Sequence, residues 1–210
     1  MKIMGYRVIL PAPWIRLPLA EGLDAVVREL VRRRTAAAEG AIPPDQLGPL
    51  RRQLETRLLA QAESARRAGG TDLFFPEADM HGLLIGASFV ISEVYSPPLS
   101  NDRSETWAVV DALAGPGGHA VELDGTRFAR SESVIAPGPD TPEVDVATRR
   151  VTYTAPRPDD PDRWVIVAFS CVGDGDPYSP QTAVVVDLFD AIMSTWTWSY
   201  AGEGVLAGER

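Results

Sequence analysis

An Asp-Gly dipeptide set between two alternating segments constrains this chain more than any other feature. Ala120-Val121-Glu122-Leu123 runs into Asp124-Gly125 and continues as Thr126-Arg127-Phe128-Ala129. A two-residue connection between strands needs positive φ at its central positions, which Asp tolerates and Gly adopts without a Cβ clash. The expected product is a tight hairpin with Leu123 opposite Thr126, Glu122 opposite Arg127 and Val121 opposite Phe128. Opposite charges then share one face and apolar groups the other, and a slip of one residue would destroy both matches. Antiparallel pairing in the middle of the chain is therefore the frame into which the remaining segments must fit.

The periodicities on either side divide the chain. Tyr6 to Leu10 and Trp14 to Leu17 read as short extended pieces separated by Pro11-Ala12-Pro13. Leu23, Val26, Val27, Leu30 and Val31 recur at helical spacing, and a second helix starts near Pro43-Pro44-Asp45 with Leu47, Leu50, Leu54, Leu58, Ala62 and Ala65 on one face. Gly69-Gly70 stops it, giving a helical hairpin over about residues 21–70. Beyond residue 71 the period becomes that of strands: Asp72 to Phe75, Ile85 to Ile91, Val151 to Ala155, and Trp164 to Phe169, the last apolar throughout and expected to be central and buried on both faces. A helix carrying Trp107, Val110, Leu113 and Ala114 follows the caps offered by Ser100, Asn101 and Asp102. Ser179-Pro180 opens a final helix with Val185, Leu188, Phe189, Ile192, Met193 and Trp196 on its inner side. The fold class is α+β, a mainly antiparallel sheet covered by helices, with residues 1–210 as a single domain.

Charge narrows the partners. The net charge of −9 over 210 residues lies in the second half, where residues 106–210 carry 7 basic and 16 acidic groups against 13 of each in residues 1–105. Such a surface is read first as a means of solubility, and it can also repel the phosphates of nucleic acid and attract basic proteins. No apolar run reaches the roughly 18 residues of a membrane span. The stretch Met1 to Leu19 is too broken by Pro11, Pro13, Pro18, Arg7 and Arg16 to serve as a signal peptide. The cytoplasm is the expected location, with another protein or a second copy as partner, no nucleic acid and no cofactor. Lys2 is the one lysine, a usage that fits GC-rich, actinobacterial coding.

Few residues offer chemistry. The densest polar cluster is Cys171-Val172-Gly173-Asp174-Gly175-Asp176-Pro177. Asp174 and Asp176 are read as residues of a tight turn that cap backbone amides, and the alternative is a divalent-cation loop serving a metal-dependent or hydrolytic enzyme. Cys171 ends an apolar strand and is read as a small buried hydrophobe rather than a nucleophile. His81 and His119 flank strands beside glycines, and nothing in the sequence pairs them. Trp196 and Trp198 cannot both face the core if the last helix continues, so one is a candidate for a groove or interface; the alternative is a frayed helix end with both rings packed against the sheet edge. The long Leu stripe of the second helix makes Leu54 and Leu58 further candidates for partner binding.

Leu10-Pro11-Ala12-Pro13-Trp14 at the start, with Trp164–Ser170 and Phe189–Trp196 including Ser194 at the end, resembles the PsbP-like fold family. Its members include photosystem II extrinsic subunits, LpqN-like lipoproteins, a Ran-binding import factor and chaperones of secretion effectors. The resemblance implies a PsbP-like sheet in which the helical hairpin at about 21–70 is an insertion. It also implies a non-catalytic adaptor or chaperone for a segment of another protein.

Overall fold

The computed structural model describes residues 1–36, 42–80, 85–96, 103–138 and 145–202. His81 and the expected caps Ser100, Asn101 and Asp102 lie outside the described residues. In chain order the elements are β1 (Ile3–Arg7), β2 (Trp14–Pro18), α1 (Leu23–Ala36), α2 (Pro44–Arg67), β3 (Gly70–Pro76), β4 (Ala87–Tyr95), α3 (Arg103–Ala114), β5 (His119–Leu123), β6 (Thr126–Ile135), β7 (Thr148–Arg157), β8 (Asp160–Cys171), α4 (Pro180–Ser194) and β9 (Thr197–Tyr200). Seven strands form an antiparallel sheet in the order β2-β3-β4-β8-β7-β6-β5, and β1 with β9 makes a separate two-stranded ribbon. The class is α+β.

The central hairpin has the register that its residues dictate: Leu123 pairs with Thr126, Glu122 with Arg127 and Val121 with Phe128. Asp124 and Gly125 sit at φ 45° and 69°, the positive values required of a two-residue turn. The Arg127 guanidinium, however, turns from Glu122 to Asp111 of α3, at 2.7 Å, and lies over the Trp107 ring. A forked contact from the neighbouring helix outcompetes a lateral pair on an exposed strand face.

The two faces of the sheet are covered differently. Val165, Val167, Phe169 and Cys171 of β8 share one face with Phe89, Ile91, Val151 and Tyr153, and pack with Val185, Val186, Phe189, Ile192 and Met193 of α4. On the opposite face α1 and α2 pack on each other and over β2 and β3, burying Leu17, Leu19, Val27, Val31, Ala62 and Leu73. α3 covers the other end of that face, where Val110 and Ala114 bury Ala129 and Trp164. Between these helices Ile166 and Ala168 are only half-buried, so β8 is central but is not sealed on both faces as its apolar run suggests.

α4 starts as expected, with the Ser179 hydroxyl accepting the Thr182 amide at 3.1 Å and Pro180 in the first turn. Its end decides between the two alternatives for the tryptophans, against a ring free for a groove or interface and for both rings packed. The helix stops at Ser194, and the chain leaves as an extended segment, where residues two apart share a face. Trp196 and Trp198 are therefore both in the core, and neither offers a ring to a partner. Trp196 stacks on Tyr6 with ring centroids 4.8 Å apart. The Trp198 indole donates to Thr126 Oγ1 at 2.9 Å, and its amide donates to the Asp124 carboxylate at 2.8 Å. β1 begins and ends three residues before the Tyr6–Leu10 segment expected from composition, because its pairing with β9 sets its limits.

Candidate functional site

The free margin of β2 carries a large recess. β2 is the outermost strand beside β3. Leu19 N donates to Thr71 O and Glu77 N to Pro13 O, each at 2.9 Å, in step with the facing pairs Leu17–Leu73 and Ile15–Phe75. Backbone groups in an antiparallel pair alternate in direction, so those of Trp14, Arg16 and Pro18 point away from β3. The Trp14 amide turns back to Pro11 O at 2.8 Å, and Pro18 has no amide hydrogen.

A cleft of about 980 Å³ runs along this margin, lined by Val8, Leu10, Trp14, Ile15, Arg16, Leu17, Ala25, Val26, Glu29, Leu30 and Arg33. Its lining comes from both sides of the strand. Val8 and Leu10 pack against the core cluster that includes Trp14, while α1 packs on the opposite face with Leu17. The space therefore has the position that a further strand would take. Local sequence makes it. Prolines 11, 13 and 18 keep β2 short, and α1 uses Leu23, Val27, Leu30 and Val31 for the core while Val26, from the same apolar stripe, stays 47% exposed at the cleft. Trp14 is buried, and its indole N–H has no acceptor among the described residues.

The charged side chains of the cleft are tied inside the protein. Arg16 Nε lies 2.7 Å from Asp72 Oδ1, a carboxylate that also accepts the Tyr6 hydroxyl. Burial, reinforced by Asp72, pushes the Tyr6 phenol well above its ordinary range, so it remains a donor. Glu29 pairs with Arg32 at 2.6 Å, and Arg33 pairs with Glu77.

Elsewhere the polar networks fasten elements together. Arg130 of β6 donates to Asp190 of α4 at 3.0 and 2.7 Å and to Glu132 at 3.0 Å, while the Tyr153 hydroxyl reaches Asp190 at 2.8 Å. Arg157, also buried, bonds Asp159, Glu93 and the Ile3 carbonyl and so anchors β1 against the β7–β8 turn. Sequence reading misses both networks. Arginine on a strand is ordinarily exposed, and Asp190 carries no motif.

The residues singled out from sequence are scattered. Asp174 and Asp176 lie in the turn after β8, where Asp174 Oδ1 accepts the Asp176 amide at 3.2 Å and Asp176 Oδ1 the Tyr178 amide at 2.9 Å. A hydrogen bond from Ser179, then one from the Asp176 amide, holds the Asp174 carboxyl below its ordinary value. Cys171 is buried, and burial pushes its thiol upward, away from nucleophilic character. His119 is exposed at the start of β5. Among the described residues no three His, Cys, Asp or Glu side chains cluster so as to hold a metal ion. Leu58 packs half-buried against the α1–α2 core, whereas Leu54 is 37% exposed on the same helix.

No family model and no curated protein matches this chain. A protein of Bacteroides thetaiotaomicron VPI-5482 with a crystal structure at 1.50 Å resolution is similar with a TM-score of 0.38 and 10% identity over 63% of this chain. The match spans 40% of the length of that protein. Among the described residues no helix is long and apolar enough to cross a membrane.

Proposed function

We propose that this protein is a non-catalytic binding module that captures an extended segment of another protein by adding it as a strand beside β2. The observation that carries this reading is the coincidence of an outer strand with an apolar cleft along its margin, walled by Val8 and Leu10 on one side and by α1 on the other. In strand addition, main-chain hydrogen bonds supply affinity and the pockets for alternate side chains supply selectivity. The cleft volume of about 980 Å³ is at the upper end for ligand sites, large for a metabolite and suited to several residues of chain. An adaptor or chaperone role is also what the PsbP-like resemblance implies.

The test is selection of seven-residue peptides from a random library on the intact protein, followed by N-methylation of the selected peptide at alternate residues. A strand beside β2 uses one alternate set of its amides, so methylating that set abolishes binding and methylating the other leaves it. Val26→Glu abolishes binding too, while changing stability by no more than about 0.5 kcal/mol, as befits an exposed site. Equal sensitivity of both amide sets, or full binding by Val26→Glu, overturns the proposal.

A further inference from the structure

Resting on that reading, we infer that the occupant of the β2 cleft is an uncharged extended segment of a different protein, and not a second copy of this chain. The first argument is electrostatic. Each charged side chain in the lining has its counter-charge within the protein: Arg16 with Asp72, Arg33 with Glu77 and Glu29 with Arg32. The remaining lining residues are apolar: Val8, Leu10, Trp14, Ile15, Leu17, Ala25, Val26 and Leu30. A charged group entering beside them would lose water without gaining an unmatched partner, which is unfavourable. Alternate side chains of the incoming strand therefore meet Val8 and Leu10 or Val26 and Leu30, and apolar or small neutral residues fit both walls.

The second argument excludes self-pairing. Two β2 strands meeting antiparallel about a two-fold axis have three central registers. Centred on Arg16, they set two guanidinium groups directly across from each other, which is destabilising. Centred on Ile15, Arg16 faces Trp14, whose amide is already donated to Pro11 O. Centred on Leu17, Arg16 faces Pro18, which has no amide to give. A foreign strand avoids the guanidinium clash and completes more of the ladder, because it can give an amide to each outward carbonyl of Trp14, Arg16 and Pro18, whereas either offset self-register lacks a donor on both copies.

The experiment uses a labelled seven-residue peptide of alternating valine and threonine between glycine–serine linkers, measured by fluorescence anisotropy on the full chain. The peptide should bind, and its affinity should change less than about twofold between about 0.05 and 0.5 M salt, where screening would weaken an ionic contact severely. Replacing the central valine by aspartate or by arginine should each weaken binding at least about tenfold, or roughly 1.4 kcal/mol. Binding equal or tighter with either charge overturns the inference but leaves strand addition intact, whereas failure of every peptide, the neutral one included, removes both. Light scattering forms the second arm: a dimer that dissociates when peptide is added would show that a second copy holds the cleft, and would also overturn the inference.

Discussion

Replacing Asp190 by alanine should cost about 3 kcal/mol of stability. Asp190 is the point at which α4 is bolted to the sheet, accepting two bonds from Arg130 and one from Tyr153. The Arg130 side chain is 10% exposed and that of Asp190 31%. Removing one partner of a fully buried ion pair costs about 3–5 kcal/mol, because the other charge is stranded. Here Glu132 still holds Arg130 at 3.0 Å and Asp190 is partly wetted, so the ionic loss should be about 2 kcal/mol. Leaving the buried Tyr153 hydroxyl without its acceptor adds about 1 kcal/mol. At roughly 2–4 °C per kcal/mol for a chain of this size, the melting temperature should fall by about 6–12 °C. Guanidinium unfolding followed by tryptophan fluorescence reads the loss, since Trp196 and Trp198 lie in the core that α4 closes. Arg130→Met completes a double-mutant cycle, and the pair should be less damaging together than the sum of the two by at least about 1 kcal/mol. A loss below about 1 kcal/mol for Asp190→Ala, or an additive cycle, would refute the view that this network fastens the helix.

Two further outcomes follow from the same geometry. Gly118→Ala should destabilise by about 3 kcal/mol in thermal or denaturant melts, because its Cβ would run into the carbonyl oxygens of Ala114 and Arg130, neither of which can swing aside like a side-chain tip. Burial alone would raise Asp159, but the Arg157 guanidinium and the Ile3 amide hold its carboxyl below the ordinary value. Its contribution is therefore full above the unfolded pKa near about 4 and is lost as pH falls through the folded value, so the acid limb of a stability–pH curve should be shallower in Asp159→Asn.

Local patterns in this chain reveal whatever depends on neighbours in sequence. The Asp124-Gly125 hairpin is legible to the residue because turn geometry and cross-strand matching agree. The Ser179 cap is legible because its partner Thr182 is three residues away. Features decided by distant segments are not. Val26 lies on the same stripe as Val27 and Val31, and only the placement of α1 beside β2 separates the residue of the cleft from those of the core. Trp196 and Trp198 look mutually exclusive on a helix and become compatible because the chain turns extended after Ser194. The Arg130–Asp190 pair spans 60 positions and involves residue types that are ordinarily on surfaces, so nothing in either segment announces it.

The guarding of the sheet margins bears on what the cleft is for. An unprotected outer strand invites indiscriminate pairing, and proteins counter this with prolines, charges and short length. β2 has all three, with Arg16 at its centre, Pro18 at its end, prolines 11 and 13 before it, and five residues in all. At the opposite margin β5 is packed by α3, and the turn that ends it is tied down through Asp124 to Trp198. Guards on β2 would suffice by themselves if its outer side were simply to be left in water. They are instead combined with an apolar recess along that side, which exposes Val26 and leaves Ile15 only partly covered. On the proposed reading, few outward backbone groups together with two apolar walls serve the selective capture of one short strand. They do not suit growth of the sheet, because the prolines end the pairing within a few residues in either direction.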